Sequence, residues 1–172
     1  KMLRHEIEGD SFVLSLIGQI ACASADGSGE SVEDATIGLE MAVRGHADGS
    51  LHFSAKATPF SDQLTHRCGW VLMHPMSAQG SAVKVQHVDG RTSLSTFPQE
   101  VPAWPPFTAV RGLSHEYAPG YWAEAILPGE DYELEDQRNN ADASFKTYSR
   151  SNFMPRPYVL KQGQSWTRQV HL

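Results

Sequence analysis

The amino-acid sequence predicts an all-β fold, an antiparallel β-sandwich of about ten strands. Short runs of β-branched and large apolar residues recur along the chain, and turn-forming pairs such as Asp89–Gly90 and Pro119–Gly120 separate them. Within Ser50–Ala57, polar and apolar residues alternate with a period of two, so that one face of a strand meets the core and the other meets water. Helix signals are scarce. A mutarotase-like supersandwich and a jelly roll both fit this pattern.

Each expected strand is bounded by turn chemistry, and His46–Gly49 and Val88–Arg91 are expected to close hairpins. The small, polar stretch Ala21–Asp34 is expected to be a loop. Four prolines make Phe97–Phe107 a stiff surface connection. Near-continuous apolarity over Cys68–Met73 predicts a central strand that is covered on both faces. In chain order, the expected strands are Arg4–Glu8, Ser11–Ile17, Thr36–Arg44, Ser50–Ala57, Arg67–His74, Ala82–His87, Thr92–Phe97, Thr108–Tyr117, Tyr121–Leu127, Tyr132–Asp136, Ala143–Arg150 and Ser165–Leu172.

Composition narrows the classes of partner. The chain has 172 residues, 40% of them hydrophobic and 20% charged, which suits one packed domain. A net charge of −6 without a long basic cluster argues against nucleic acid and anionic membrane as partners. No apolar run approaches the ~20 residues that cross a bilayer. Cys22 and Cys68 fit no CxxC motif and no disulfide framework, so we expect two reduced thiols in a cytoplasmic protein, with a disulfide as the alternative.

Sequence motifs of the common cofactor enzymes and hydrolases are missing. The chain contains no GxSxG nucleophile elbow, no glycine-rich phosphate loop, no GxGxxG and no HExxH. We therefore expect no cofactor and no bound metal.

The densest run of polar side chains lies between residues 133 and 148. If Leu134 and Phe145 point to the core, strand alternation places a mixed polar set on the opposite face. That set consists of Glu133, Glu135, Ser144, Lys146 and Tyr148.

Closing this hairpin so that the two core residues meet sets Glu133 opposite Lys146 and Glu135 opposite Ser144. Carboxylate, ammonium, hydroxyl and phenol groups on one face suit a polyhydroxylated anion. The alternative is a solvated outer face with ordinary cross-strand ion pairs.

The candidate catalytic groups follow from this chemistry. Glu135, Asp136 or His87 would activate water, and Arg138 and Lys146 would stabilise an oxyanion. The candidate ligand-binding residues are Asn139, Asp142, Ser144, Tyr148 and His74.

Two histidines form a second candidate set. His74 ends a strand and His87 precedes the Asp89–Gly90 turn, so adjacent strand ends would bring them together as a base or as metal ligands. The alternative is that each histidine is hydrogen-bonded separately by the backbone.

The polar run resembles the signature of the D-apionate lactonase family. The similar segments are Leu134–Asn139 with Asp142–Tyr148, and they are joined by Val71–Pro75, Val85–Arg91, Leu113–Glu116 and Pro157–Leu160. The similarity runs in order from about Arg67 to the C-terminus. One departure is Asn140, which stands where the family is expected to carry an aromatic residue.

The resemblance implies a hydrolase that opens the lactone of an oxidised branched pentose. Members of the family are expected to be longer, so residues 1–172 would form one β-sandwich domain, the N-terminal module of a longer chain. Its expected partners are a sugar acid or lactone and a C-terminal catalytic domain. Two roles stay open: the module contributes directly to hydrolysis, or it binds sugar or braces a separate catalytic domain.

Overall fold

A computed structural model describes residues 1–23, 31–140 and 142–172. These residues form fourteen β-strands and two short 3₁₀-helices, with no α-helix in the described ranges. Every strand pairing whose register is defined is antiparallel, which confirms the all-β prediction and accords with the predicted β-sandwich. The strands are β1 Met2–Glu8, β2 Ser11–Ala23, β3 Ser31–Gly45, β4 Leu51–Pro59, β5 Gln63–Thr65, β6 Val71–Pro75, β7 Ala82–His87, β8 Thr92–Thr96, β9 Phe107–Ala118, β10 Tyr121–Ile126, β11 Tyr132–Asp136, β12 Ser144–Tyr148, β13 Tyr158–Leu160 and β14 Trp166–His171. The 3₁₀-helices are Met76–Ala78 and Gln137–Asn140.

The chain divides into two compact units. The first comprises Lys1–Arg67 and Pro155–Gln169. Its strands follow the order β1-β2-β3-β4-β14, with β14 belonging to this unit as far as Gln169, and the short strands β5 and β13 pair separately. Long hairpins dominate this unit because β2 and β3 stay in register from Phe12↔Gly45 to Ile20↔Ile37.

The second unit comprises Cys68–Met154 and Val170–Leu172, and it contains every candidate site residue. Its strands follow the order β10-β9-β11-β12-β6, with β7 between β9 and β8. Burial of large side chains drives its folding, and the area involved is worth roughly 1.5–3 kcal/mol for each fully buried Leu or Phe. The largest fully buried side chains are Tyr132, Tyr148, Phe97, Phe145, Leu113, Leu127 and Leu134.

The predicted hairpins are present. β3 and β4 meet at Gly45↔Leu51, around the predicted turn His46–Gly49. β7 and β8 flank the Asp89–Gly90 turn, where Gly90 has a φ of 84°. Only glycine reaches such a left-handed conformation without strain, which explains the strength of the Asp-Gly signal.

The expectation of a central, doubly covered strand over Cys68–Met73 is wrong. The strand is β6, it starts at Val71, and it lies at the end of the strand order beside β12. Val71 and Met73 are more than half exposed, whereas His74 is buried. An edge strand has a neighbouring strand on one side only, and an apolar run by itself does not show how many neighbours a strand has.

Two strand ends and two short strands also differ from expectation. β2 and β3 extend into the predicted loop Ala21–Asp34, and the middle of that loop, residues 24–30, lies outside the described residues. β5 and β13 were not predicted. Each is three residues long, too short for a period of two to be recognised.

Candidate functional site

The polar run forms the predicted hairpin, but its register differs from the expected one. β11 and β12 pair as Glu133↔Tyr148, Leu134↔Thr147, Glu135↔Lys146 and Asp136↔Phe145. The expected pairs Leu134–Phe145, Glu133–Lys146 and Glu135–Ser144 are therefore wrong.

The connection between the two strands explains the shift. Gln137–Asn140 turn as a 3₁₀-helix directly after β11, and the amide of Asp142 donates to the carbonyl of Gln137 at 3.3 Å. Because the 3₁₀-helix begins directly after Asp136, β11 ends there, and the first pair of the hairpin is Asp136 with Phe145. The change of two positions keeps each side chain on its predicted face, because alternation has a period of two. Glu133, Glu135, Lys146 and Tyr148 accordingly share one face.

Glu133 lies at the end of that face farthest from the connection between the strands, and it is fully buried. The hydroxyl of Tyr148 donates to its Oε1, and the hydroxyl of Ser151 donates to its Oε2 at 2.7 Å. The backbone amide of Asn152 also donates to Oε2, at 3.0 Å, while the Asn152 side chain donates to the Tyr148 hydroxyl at 2.8 Å. A buried carboxylate is tolerated when donors surround it. The sequence placed Glu133 on the right face but gave no sign of Ser151 and Asn152, which come from the loop after β12.

Asp136 and Arg138 form a clamp on the other face of the hairpin. The guanidinium Nε donates to Asp136 Oδ1 at 2.9 Å and Nη2 donates to Oδ2 at 2.5 Å. Nη1 and Nη2 also donate to the carbonyls of Gln99 at 2.9 Å and Pro98 at 3.1 Å. The Asp136 side chain is only 1% exposed. Hydrogen bonds from the Arg138 side chain hold the pKa of Asp136 below its usual range, so this carboxylate is a weak proton acceptor.

Glu135 and Lys146 form the most accessible charged pair of the hairpin. Lys146 Nζ lies 3.4 Å from Glu135 Oε2, and the two side chains are 21% and 27% exposed, respectively. Nζ also donates to Gln137 Oε1 at 3.1 Å and lies 5.2 Å from the centre of the Tyr148 ring. The Nε2 amide of Gln137 is buried and has no hydrogen-bond partner among the described residues. Carboxylate, ammonium and amide groups are therefore brought together at a partly open position.

The remaining residues of the hairpin lie at its turn. Ser144 Oγ donates to Asp142 Oδ2 at 3.0 Å, and Asp142 itself is exposed. The side chains of Asn139 and Asn140, the one expected to bind ligand and the other noted as a departure, lie outside the described residues.

His74 is placed beside His115 rather than beside His87. The rings of His74 and His115 are 5.3 Å apart, and His74 Nε2 is hydrogen-bonded to Thr147 Oγ1 at 2.9 Å. Phe97 packs 5.6 Å from His74 and 5.2 Å from His115, centre to centre. Burial, together with a smaller contribution from the neighbouring His115, lowers the pKa of His74 to about 4. His74 is thus a neutral core residue at physiological pH.

His87 is hydrogen-bonded through both ring nitrogens. Nδ1 lies 3.2 Å from the carbonyl of Thr108 and Nε2 lies 2.8 Å from Ser93 Oγ. On β9, His87 is opposite Val110, whereas His115 is opposite Val83. His87 is therefore roughly 16 Å along the strand from His115, the histidine that His74 contacts. Within the described ranges, no three His, Cys, Asp or Glu side chains are grouped as metal ligands would be.

Comparison with known proteins decides the family. The model of the D-apionate lactonase N-terminal domain matches residues 18–172. The chain belongs to this family. It is also 36% identical, over 141 residues, to a D-apionate lactonase of Brucella anthropi. That alignment covers 81% of this chain but 23% of the Brucella protein, so the chain spans about a quarter of the length of its curated relative.

As an N-terminal domain of this family, the chain carries all of its candidate site residues within the matched region. The hairpin from Glu133 to Tyr148 and the His74–His115 contact both fall between residues 18 and 172. The described part of the domain has no helix that is long and apolar enough to cross a bilayer.

Proposed function

We propose that this chain is the N-terminal module of a hydrolase that opens a sugar-acid lactone of the D-apionate type. The observation that carries the proposal is the match to the D-apionate lactonase N-terminal domain over residues 18–172. The relative's name supplies the substrate class. The catalytic partner of the module would be a further region of the longer protein.

Within the module, Glu135 and Lys146 are the groups best placed to contact such a substrate. Their side chains are 27% and 21% exposed, respectively, and lie side by side. Lys146 carries the charge that a sugar-acid carboxylate or a developing oxyanion requires. Glu135 can accept hydrogen bonds from sugar hydroxyls or a proton from water. Gln137 Oε1 accepts a hydrogen bond from Lys146 Nζ and so positions the ammonium group.

The other candidates are occupied by internal contacts, which supports positioning roles for them. Asp136 and Arg138 bind each other and the Pro98–Gln99 carbonyls. His87 is hydrogen-bonded at both nitrogens, and His74 is buried. Of the three candidate bases, we assign Glu135, whose side chain is 27% exposed beside Lys146.

Kinetics of the full-length natural protein test this assignment. Glu135→Gln and Lys146→Met should each reduce kcat/KM for hydrolysis of D-apionate lactone by about 10- to 100-fold, the loss of roughly 1.4–2.8 kcal/mol of binding or transition-state stabilisation. Acid release in a weakly buffered solution with a pH indicator measures the rate.

The chain offers a matched control in the first unit. Glu40 and Lys56 form another cross-strand pair, with Lys56 Nζ 2.8 Å from Glu40 Oε1. Glu40→Gln and Lys56→Met should leave kcat/KM within about twofold, since exposed pairs contribute little. If the Glu135 and Lys146 variants also stay within twofold, neither residue contacts the substrate.

The internal hydrogen bonding of Glu133, Asp136 and Arg138 favours a second role, that of a module which braces a separate catalytic region. Under that role, Glu135→Gln and Lys146→Met would keep normal kinetics, whereas Arg138→Lys would lower the stability of the second unit.

A further inference from the structure

Among the described residues, one edge of β10 has no paired strand over most of its length. β10 pairs with β9 from Trp122↔Glu116 to Ile126↔Gly112. On its other edge, the defined register among the described residues contains the single pair Ile126↔His171, with the last residue of β14. Backbone groups along an open edge bind another strand readily.

The side chains of β10 are as exposed as those of a strand that has no neighbour on one side. Tyr121 is 65% exposed and Trp122 is 52% exposed. Four consecutive residues, Tyr121–Glu124, are exposed, so both faces of the strand meet solvent at this end. Large apolar side chains exposed together commonly mark a contact surface.

The register shows where the chain would lie if β14 continued. In an antiparallel pair, one step forward along β14 is one step back along β10. Because His171 is opposite Ile126, Leu172 comes level with Ala125. The residues that follow Leu172 would then come level with Glu124, Ala123 and Trp122, in that order.

We propose that, in the full-length protein, the segment immediately after Leu172 extends β14 along the open edge of β10 and covers Trp122. The inference rests on the proposal that the chain is part of a longer protein, as the Brucella relative is. The occupant is thus this polypeptide itself, and its first residues pair with Glu124 and Trp122 before the chain enters the next region.

Backbone geometry identifies the amides that report this pairing. The amide of Leu127 donates to the carbonyl of Arg111 on β9 at 2.9 Å. Alternate residues of a strand direct their amides to the same side. The amides of Ala125 and Ala123 therefore face β9, and those of Glu124 and Trp122 face the open edge.

Residue-resolved hydrogen exchange of the full-length protein tests the proposal with an internal control. If the segment after Leu172 pairs with β10, the amides of Trp122 and Glu124 should exchange within about tenfold of the rates of Ala123 and Ala125. Exchange more than about a hundredfold faster at Trp122 and Glu124 alone would show an open edge and overturn the proposal.

A dilution series distinguishes pairing of β10 with the protein's own segment from pairing with a second copy of the protein. Protection by the protein's own segment is independent of concentration, whereas protection by a second copy disappears as the protein is diluted to monomers, and that outcome also contradicts the proposal. The readout is exchange rather than turnover. If the protein hydrolyses the lactone but the β10 edge is open, this inference alone is wrong. If the edge is protected but the protein does not hydrolyse the lactone, the proposed function alone is wrong.

Discussion

Asp136 and Arg138 stand two residues apart in the chain, and so do Asp89 and Arg91, yet the two pairs differ in their surroundings. Each arginine donates through Nε to its aspartate, but Asp89 and Arg91 are exposed at a turn tip. Asp136, by contrast, is buried, and Arg138 also binds the carbonyls of Pro98 and Gln99. Identical local chemistry thus gives a surface ion pair in one place and a clamp between two segments in the other.

Arg138→Lys should lower the free energy of unfolding of the second unit by about 2 kcal/mol. A lysine has one donor group and cannot reach Asp136 and the two carbonyls together, so buried acceptors lose their partners. Native-state hydrogen exchange at the core amides of Leu134 and Phe145, in the full-length protein, measures the change.

The exposed pair gives the control for this measurement. Arg91→Lys should leave the same opening free energy unchanged within the error of the measurement, because solvent screens the pair. Equal losses for the two variants would mean that burial and the contacts with the carbonyls contribute nothing.

His74 links the core of the second unit to pH. Its folded-state pKa of about 4 lies below the unfolded value of 6.5, so the unfolded chain binds the proton more readily. Stability is therefore full above pH 6.5 and falls as the pH drops through the range from 6.5 to 4. Between pH 7.5 and pH 5 the loss attributable to His74 is about 2 kcal/mol.

Opening free energies at pH 7.5 and pH 5, with His74→Gln as the comparison, check this value. The variant should lose about 2 kcal/mol less than the unaltered protein over that interval. His5→Gln, at an exposed position, should show the unaltered pH dependence. An unchanged pH dependence in His74→Gln would show that His74 is not the group responsible.

At the scale of single elements, alternation predicted which face each hairpin residue occupies but not which residues are opposite each other. Glu133 and Tyr148 share a face, as expected, yet they pair directly because the turn after Asp136 is a 3₁₀-helix. Register depends on turn geometry, which a polar run of uncertain conformation does not reveal. The contact between Lys146 and Glu135 therefore became visible only in the folded hairpin.

β6 shows a second limit of sequence reasoning. Its apolar run was expected at the centre of a sheet, although the strand lies at an edge with Val71 and Met73 exposed. Strand position depends on long-range order, here the adjacency of β6 and β12, which are separated by about seventy residues. The same long-range order brought His74 to His115, a contact that no local spacing predicted.

At the scale of the whole molecule, three charged groups of the candidate hairpin serve the fold of the second unit. Glu133 binds Tyr148, Ser151 and Asn152, and Asp136 binds Arg138. These contacts hold the three groups in the fold. The accessible pair Glu135–Lys146 offers no nucleophile with a hydrogen-bonded base. Such an arrangement suits a module that supports or completes a site whose remaining groups lie elsewhere.

The isolated chain of residues 1–172 should therefore hydrolyse D-apionate lactone at less than about 1% of the rate of the full-length protein, since Glu135 and Lys146 without the remaining groups of the site provide little acceleration. Turnover by equal molar amounts of the two proteins measures the ratio. Near- and far-ultraviolet circular dichroism of the isolated chain must show packed β-structure for the comparison to count. A folded chain that matches the full-length rate would place the complete catalytic site within these residues and contradict the supporting role.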